Sequence, residues 1–197
     1  MLPERKVSPL AIDLTLLHRR SITSLYSNLV TRPTGRAVRT GVESQIAELD
    51  GDHAVCLSIL DFSQVRVLDY SCADEIVAKL LLRYQGPERP AEAFFLVRGV
   101  QEHHREPIEE VLERHDLLLV AEVEGSGYQL LGGADRQQRA CWGTILRLGR
   151  ARAEAVTERT GIAPAAAGEV LAGLASQRVL IAYRDGSFCS LPHFLEE

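Results

Sequence analysis

Three short, almost uninterrupted apolar runs constrain the fold of this chain more than any other feature: Ala54 to Leu60 (AVCLSIL), Ala93 to Val97 (AFFLV) and Leu117 to Val123 (LLLVAEV). A strand with one wet face alternates apolar and polar residues, so a short run without alternation reads as a strand covered on both faces. Helical stripes lie between the runs: Ala73, Ile76, Val77, Leu80, Leu81 and Tyr84, then Ile108, Val111 and Leu112. Strands alternating with single helices imply right-handed crossovers and a largely parallel sheet flanked by helices, an α/β fold. Tyr128 to Leu131 adds a candidate edge strand.

Upstream, Leu10, Ile12, Leu14 and Leu16 alternate, but Ile22, Leu25, Tyr26, Leu29 and Val30 recur at helical spacing, which predicts a helix from about Leu14 to Val30. Thr31-Arg32-Pro33-Thr34-Gly35 interrupts it. A second amphipathic helix carries Val38, Val42, Ile46 and Leu49 on one face and ends at Asp50-Gly51-Asp52. Downstream, helices are predicted over 135–148 and 152–160, the latter closed by Gly161, and from Pro164 to about Gln177. Strands Val179–Tyr183 and Ser187–Leu191 then flank Asp185-Gly186, a hairpin signal.

Charge marks a boundary. Residues 1–133 carry 14 Lys and Arg against 20 Asp and Glu, whereas residues 134–197 carry eight Arg against seven Asp and Glu. Gly132-Gly133 reads as the hinge between an α/β domain, 1–133, and a small α+β domain, 134–197. The net charge of −5 argues against the chain as a whole binding nucleic acid or a membrane surface. No apolar stretch reaches membrane-spanning length, and the N-terminus lacks the order of a secretion signal. Cys56, Cys72, Cys141 and Cys189 are too scattered for a zinc site or a disulfide scaffold, so a cytoplasmic location is expected.

The stretch Leu60-Asp-Phe-Ser-Gln-Val-Arg-Val-Leu-Asp-Tyr-Ser71, continuing Cys-Ala-Asp-Glu-Ile-Val-Ala-Lys-Leu, resembles the signature of STAS domains, the anti-sigma-factor-antagonist family, and is most similar to its divergent STAS-like branch. The matching positions are Asp61, Ser63, Val65, Asp69 and Ser71. The resemblance covers residues 35–123 and is concentrated in 60–80. Cys72 stands where the family usually has Gly, and the family's pair of N-terminal strands is not evident. The resemblance implies a signalling protein that switches partners, with a surface around Asp61, Ser63, Asp69, Ser71, Asp74 and Glu75. Its partner would be a kinase-type regulator or an anti-sigma factor, and Ser71 would be a phosphoacceptor. The residues alone leave a second role open: Ser71 followed by Asp74 approximates a capping box. A helix N-terminus welcomes a phosphate, while Asp69, Asp74 and Glu75 would repel it.

The tail, three helices and a hairpin, resembles a winged helix-turn-helix. Its third helix holds Glu169 and no basic residue, which favours protein interaction or a homodimer over DNA. The alternative is a transcriptional regulator contacting DNA through Arg147, Arg150 and Arg184, with Arg136, Arg139 and Arg152 adding to a basic face. Asp61 and Asp69 lack a third ligand or base for metal or acid–base work, and His103-His104 reads as an exposed helix start. Nothing in the sequence points to an enzyme, a metal or a cofactor.

Overall fold

The computed structural model describes residues 11–12, 18–49 and 55–195. Its main sheet has five strands in chain order: β2 (His18–Leu29), β3 (Val55–Leu68), β4 (Ala93–Val100), β5 (Leu118–Val123) and β6 (Gly127–Gly132). The first four are parallel and β6 pairs antiparallel with β5. Helices bridge each parallel step. The first is α1 (Arg32–Leu49). The second is one continuous helix, made of α2 (Tyr70–Ala73), a π-helical turn (Asp74–Ala78) and α3 (Lys79–Gln85). The third is α4 (Glu102–Arg114). The chain is therefore α/β, with a mixed five-stranded sheet flanked by helices.

The apolar runs lie where both faces are covered. Cys56, Leu60, Phe62, Phe95 and Val97 share one core with Val42, Ile46, Ile76, Leu80, Tyr84, Ile108 and Leu112 from the three crossovers. Crossovers of one hand in sequential strand order return to the same face, which is why all three helices lie together. The intervening residues Val55, Leu57, Ile59, Phe94, Leu96, Leu118 and Val120 build a second core with Trp142, Ile145, Leu171, Leu174 and Ile181.

Those last residues belong to a compact tail of α5 (Arg136–Leu148), α6 (Ala153–Thr160), α7 (Pro164–Ser176), β8 (Leu180–Tyr183), β9 (Phe188–Ser190) and α8 (Leu191–Phe194). Gly161, in the left-handed conformation, closes α6, and Pro164 occupies the first turn of α7. The β8–β9 hairpin gains β7 (Arg150–Ala151) against β9, and β1 (Ala11–Ile12) parallel to β8. Polar fasteners tie tail to sheet. Buried Arg178 donates to Glu92 Oε1 (2.7 Å) and to the Ala93 carbonyl, and its guanidinium lies over the Phe94 ring.

Two expectations are corrected. Residues 18–29 form an edge strand where a helix was expected; residues 14–17 lie outside the described set, as does Asp50-Gly51-Asp52. Thr23, Leu25 and Leu29 are even numbers of residues apart, so a strand places them on one face, where Leu25 and Leu29 are buried and Thr23 donates to Gln45 of α1. Gly132-Gly133 is a fixed turn, not a hinge. Gly132 has φ +98° and no room for a Cβ beside the Leu117 carbonyl. Arg139 clamps the turn by donating to the carbonyls of Leu130, Gly132 and Ala134.

Seven large side chains of the sheet's second face are covered by the tail, and each is worth roughly 1.5–3 kcal/mol on burial. Their total is comparable to the whole stability of an ordinary domain, about 5–15 kcal/mol. A chain ending at residue 133 is expected to bind the dye ANS strongly and to lose cooperative thermal unfolding, both measurable against the full chain.

Candidate functional site

β3 is twice the length of its apolar run, and its pairing explains why its second half reads as a loop. It pairs with β4 only as far as Asp61 and then follows β2 alone to Leu68. Within that two-stranded ribbon, Asp61–Gln64 faces Ser24–Tyr26, and Val65–Val67 faces Ser27–Asn28, so β3 holds one extra residue at each of two bulges. The buried positions accordingly step by three, from Phe62 to Val65 to Leu68, and the period-two signal vanishes. Asp61 anchors the first bulge. Its Oδ1 accepts from the Ser63 N–H (3.0 Å) and hydroxyl (2.6 Å), and its Oδ2 accepts from Nε and Nη2 of Arg98, the residue opposite on β4. Burial raises the Asp61 carboxyl's pKa, but the Ser63 and Arg98 bonds outweigh it and hold the value below the usual one. Gly99, at φ +66°, presses on this bulge; a Cβ there would stand 2.7 Å from Ser63 N. A cleft of about 570 Å³ opens beside Asp61, Ser63 and Arg98, with Glu122 and Glu124 on its far side.

His104 closes the ribbon from the helix layer, and it corrects the expectation of an exposed histidine pair. His103 is exposed, but His104 is fully buried. Its Nδ1 accepts from the Gln101 N–H and its Nε2 lies 3.1 Å from the Val65 carbonyl, which assigns the proton to Nε2. Burial, followed by the neighbouring His103, lowers its pKa.

The helix after the ribbon opens at Asp69, not at Ser71. Asp69 is the cap: its Oδ1 accepts from the Cys72 N–H (2.8 Å), while the Ser71 hydroxyl donates to the same carboxylate (2.9 Å). The expected Ser71–Asp74 capping box is thus replaced by an Asp69 cap with Ser71 at the second helical position. Cys72 is buried, and its thiol donates to the Thr31 carbonyl. Gly35 of α1 packs at 3.0 Å, measured from its ideal Cβ position, against the Cys72 Cα.

Asp74 and Glu75 do not belong to an open surface. Both are buried. Asp74 Oδ2 pairs with Arg32 (2.9 Å) and Oδ1 lies 3.1 Å from His115 Nε2. Glu75 pairs with Arg32 (3.0 Å), with Arg39 (3.3 Å) and closely with Lys79. Burial pushes both carboxyls up, but the bonds from Arg32 and His115 to Asp74, and from Lys79 and Arg32 to Glu75, dominate and lower both pKa values. Arg32, Arg39, Lys79, His115 and Arg98 were not singled out by sequence; of these only the Glu75–Lys79 spacing of four along a helix offered a signal.

Around Ser71 the surface is unexpectedly apolar. Val67, Tyr70 and Val30 are 46%, 40% and 45% exposed, three of the four large hydrophobics so exposed among the described residues. Their backbones belong to the same end of the sheet, where Val67 pairs with Asn28 and the Asp69 N–H bonds the Leu29 carbonyl, while the Tyr70 hydroxyl is turned toward Glu106 and Glu110 of α4.

In the tail, the three arginines considered for DNA separate. Arg150 pairs with Asp185 (2.8 Å), donates to Ser187 and stacks over Tyr183, so it braces the hairpin. Arg147 is exposed and Arg184 lies exposed at the hairpin turn. Among the described residues no cluster of acidic, His or Cys side chains is arranged to hold a metal, and no helix is long and apolar enough to cross a membrane. No family model matches the chain, and no curated protein matches it either.

Asp69→Ala is expected to cost about 0.5–2 kcal/mol in urea unfolding, as loss of an N-cap does, and Ser71→Ala clearly less. For the buried network the sign follows from the lowered pKa values. Its contribution is complete above the unfolded carboxylate range of about 3.9–4.3 and is lost as pH falls through the folded values. Stability measured from about pH 6 down to about pH 3 should therefore fall more steeply for the wild type than for Asp74→Asn/Glu75→Gln.

Proposed function

We propose that this chain is a non-enzymatic signalling protein that works by binding a protein partner through the face around Ser71. The exposure of Val30, Val67 and Tyr70, all within a few residues of the β2 and β3 ends, carries this reading, because large apolar side chains left open to solvent suit a protein contact. The resemblance of residues 60–80 to the STAS signature supports it, and with it a kinase-type regulator or anti-sigma factor as partner. The docking face comprises Val30, Val67, Tyr70, Asp69 and Ser71; Asp61 and Ser63 shape the ribbon beneath it, and Asp74 and Glu75 act behind it through Arg32.

Ser71 phosphorylation by the partner kinase is the proposed control. The local charges favour it more than sequence suggests. Asp74 and Glu75 are already met by Arg32, Arg39, Lys79 and His115, which leaves Asp69 as the carboxylate directly opposing a phosphate. A dianion on the Ser71 oxygen would replace the hydroxyl hydrogen bond to Asp69 with repulsion and re-form the contact face. The tail is proposed as a winged-helix module that completes the core.

The test is capture of partners from the cells that make the protein, followed by binding of the purified partner to wild type, Val67→Asp, Tyr70→Ala and Ser71→Asp. Loss of at least tenfold in affinity for Val67→Asp and Ser71→Asp, with unchanged circular dichroism, is expected. A partner that binds all four equally well would sink the reading.

A further inference from the structure

The cleft beside Asp61 lies across the carboxyl ends of β3, β4 and β5 and holds opposite charges apart. Asp61, Arg98 and Glu122 each stand two residues beyond a member of the second core, respectively Ile59, Leu96 and Val120. Strand alternation therefore sets them on three successive strands, on the tail-facing side of the sheet. The strands splay just there. β3 parts from β4 after Asp61, and the register of β4 against β5 shifts between Val97 and Val100. The opening so made, about 570 Å³, has the size of a small-molecule pocket and lies at the strand ends where open α/β sheets take ligands.

Neighbouring opposite charges at a surface ordinarily pair, and these do not. Arg98 donates from Nε and Nη2 to Asp61 Oδ2, which turns the guanidinium toward β3. Among the described residues no ion pair joins it to Glu122 or Glu124, neither glutamate has a salt-bridge partner, and Arg98 Nη1 has no acceptor. Asp61 has no capacity left, because Ser63 occupies its other oxygen twice. One side of the cleft is thus a donor end, Arg98 with Gln101 at the N-terminus of α4, where the helix dipole adds to the attraction for an anion. The other is an acceptor end, half-buried Glu122 and exposed Glu124, whose N–H bonds the Val100 carbonyl and ties the turn to β4. A simple anion would face two carboxylates, and a simple cation would face the guanidinium. Asp61 and Arg98 cancel in charge, which leaves the two glutamates to be met. A ligand with one carboxylate and two ammonium groups complements both ends, and guanidinium forks match carboxylates. We propose that this cleft binds a free basic α-amino acid of the lysine type, with its carboxylate on Arg98 and its ammonium groups on Glu122 and Glu124. The site is separate from the Ser71 face, and neither reading depends on the other.

The test is isothermal titration calorimetry of the full chain at low salt with L-lysine and with three probes that each lack one of its charges. Cadaverine lacks the carboxylate, L-norleucine the side-chain ammonium and 6-aminohexanoate the α-ammonium. Saturable binding of L-lysine with Kd below about 1 mM is expected. Each probe should bind at least about tenfold more weakly, the loss of one charge-assisted hydrogen bond. Glu122→Gln/Glu124→Gln should weaken L-lysine binding by at least about tenfold with thermal unfolding unchanged, since neither side chain is in an ion pair. Glu124→Gln alone, in an exposed turn, serves if the double variant fails to fold, and should weaken binding by at least about threefold. Glu113→Gln on α4 should leave Kd unchanged. Absence of L-lysine binding at about 10 mM, any probe binding as tightly as L-lysine, or undiminished binding by the Glu122 and Glu124 variants overturns the proposal.

Discussion

After Asp61, β3 has no partner on its β4 side, and a strand leaving a sheet would carry unpaired backbone groups into solvent. The chain holds β3 against β2 alone for a further seven residues and bends the pair with two bulges, so that Val65 and Leu68 still reach the helix-side core. The bend is secured on three sides. Asp61 ties the first bulge to Arg98, Gly99 leaves space for the Ser63 backbone, and the neutral His104 imidazole meets the Val65 carbonyl. Only with the ribbon so placed does Asp69 arrive beside Leu29 and cap the next helix.

That helix then meets a second constraint. Asp74 and Glu75 fall within its π-helical turn and both face inward. Two buried carboxylates would be strongly unfavourable unpaired, and the fold surrounds them with Arg32 and Arg39 of α1, Lys79 of α3 and the His115 imidazole after α4. Arg32 is the outermost of these, 47% exposed at its side chain. It is the solvent-facing end of the buried network, and it follows Thr31, whose carbonyl accepts from the Cys72 thiol next to Ser71.

How far sequence reveals this fold depends on how local each cause is. β3, β4 and β5 were legible because strands covered on both faces leave continuous apolar runs, and the tail helices because Gly161 and Pro164 act within one turn. β2 was not legible: Leu25 and Leu29 are spaced by four, which serves a helix face and a strand face equally, and pairing with β3 decides between them. The Asp69 cap was missed for a similar reason. Ser71 and Asp69 both have capping side chains, and the choice was made by the end of the ribbon two residues earlier than the periodicity suggested. Of the residues the motif nominated, Asp69 and Ser71 meet at one carboxylate, Asp61 and Ser63 form a separate bulge, and Asp74 and Glu75 turn inside. The partners that determine those fates, Arg98, Arg32 and His115, are 37 to 43 positions away in sequence, beyond any local pattern.

The tail's role follows from the sheet's composition. A β3 that reads apolar on both faces needs a second layer, and the crossover helices, all of one hand, supply only the first. Residues after Gly132 provide the other, clamped by Arg139 at the turn and by Arg178 at β4. The helix layer, with Ser71, and the tail thus lie on opposite sides of one sheet. A change in packing at Ser71 reaches the tail only by moving β3 and β4, whose side chains belong to both cores. Tight interiors resist such movement, so the sheet acts as a rigid partition between the helix layer and the tail.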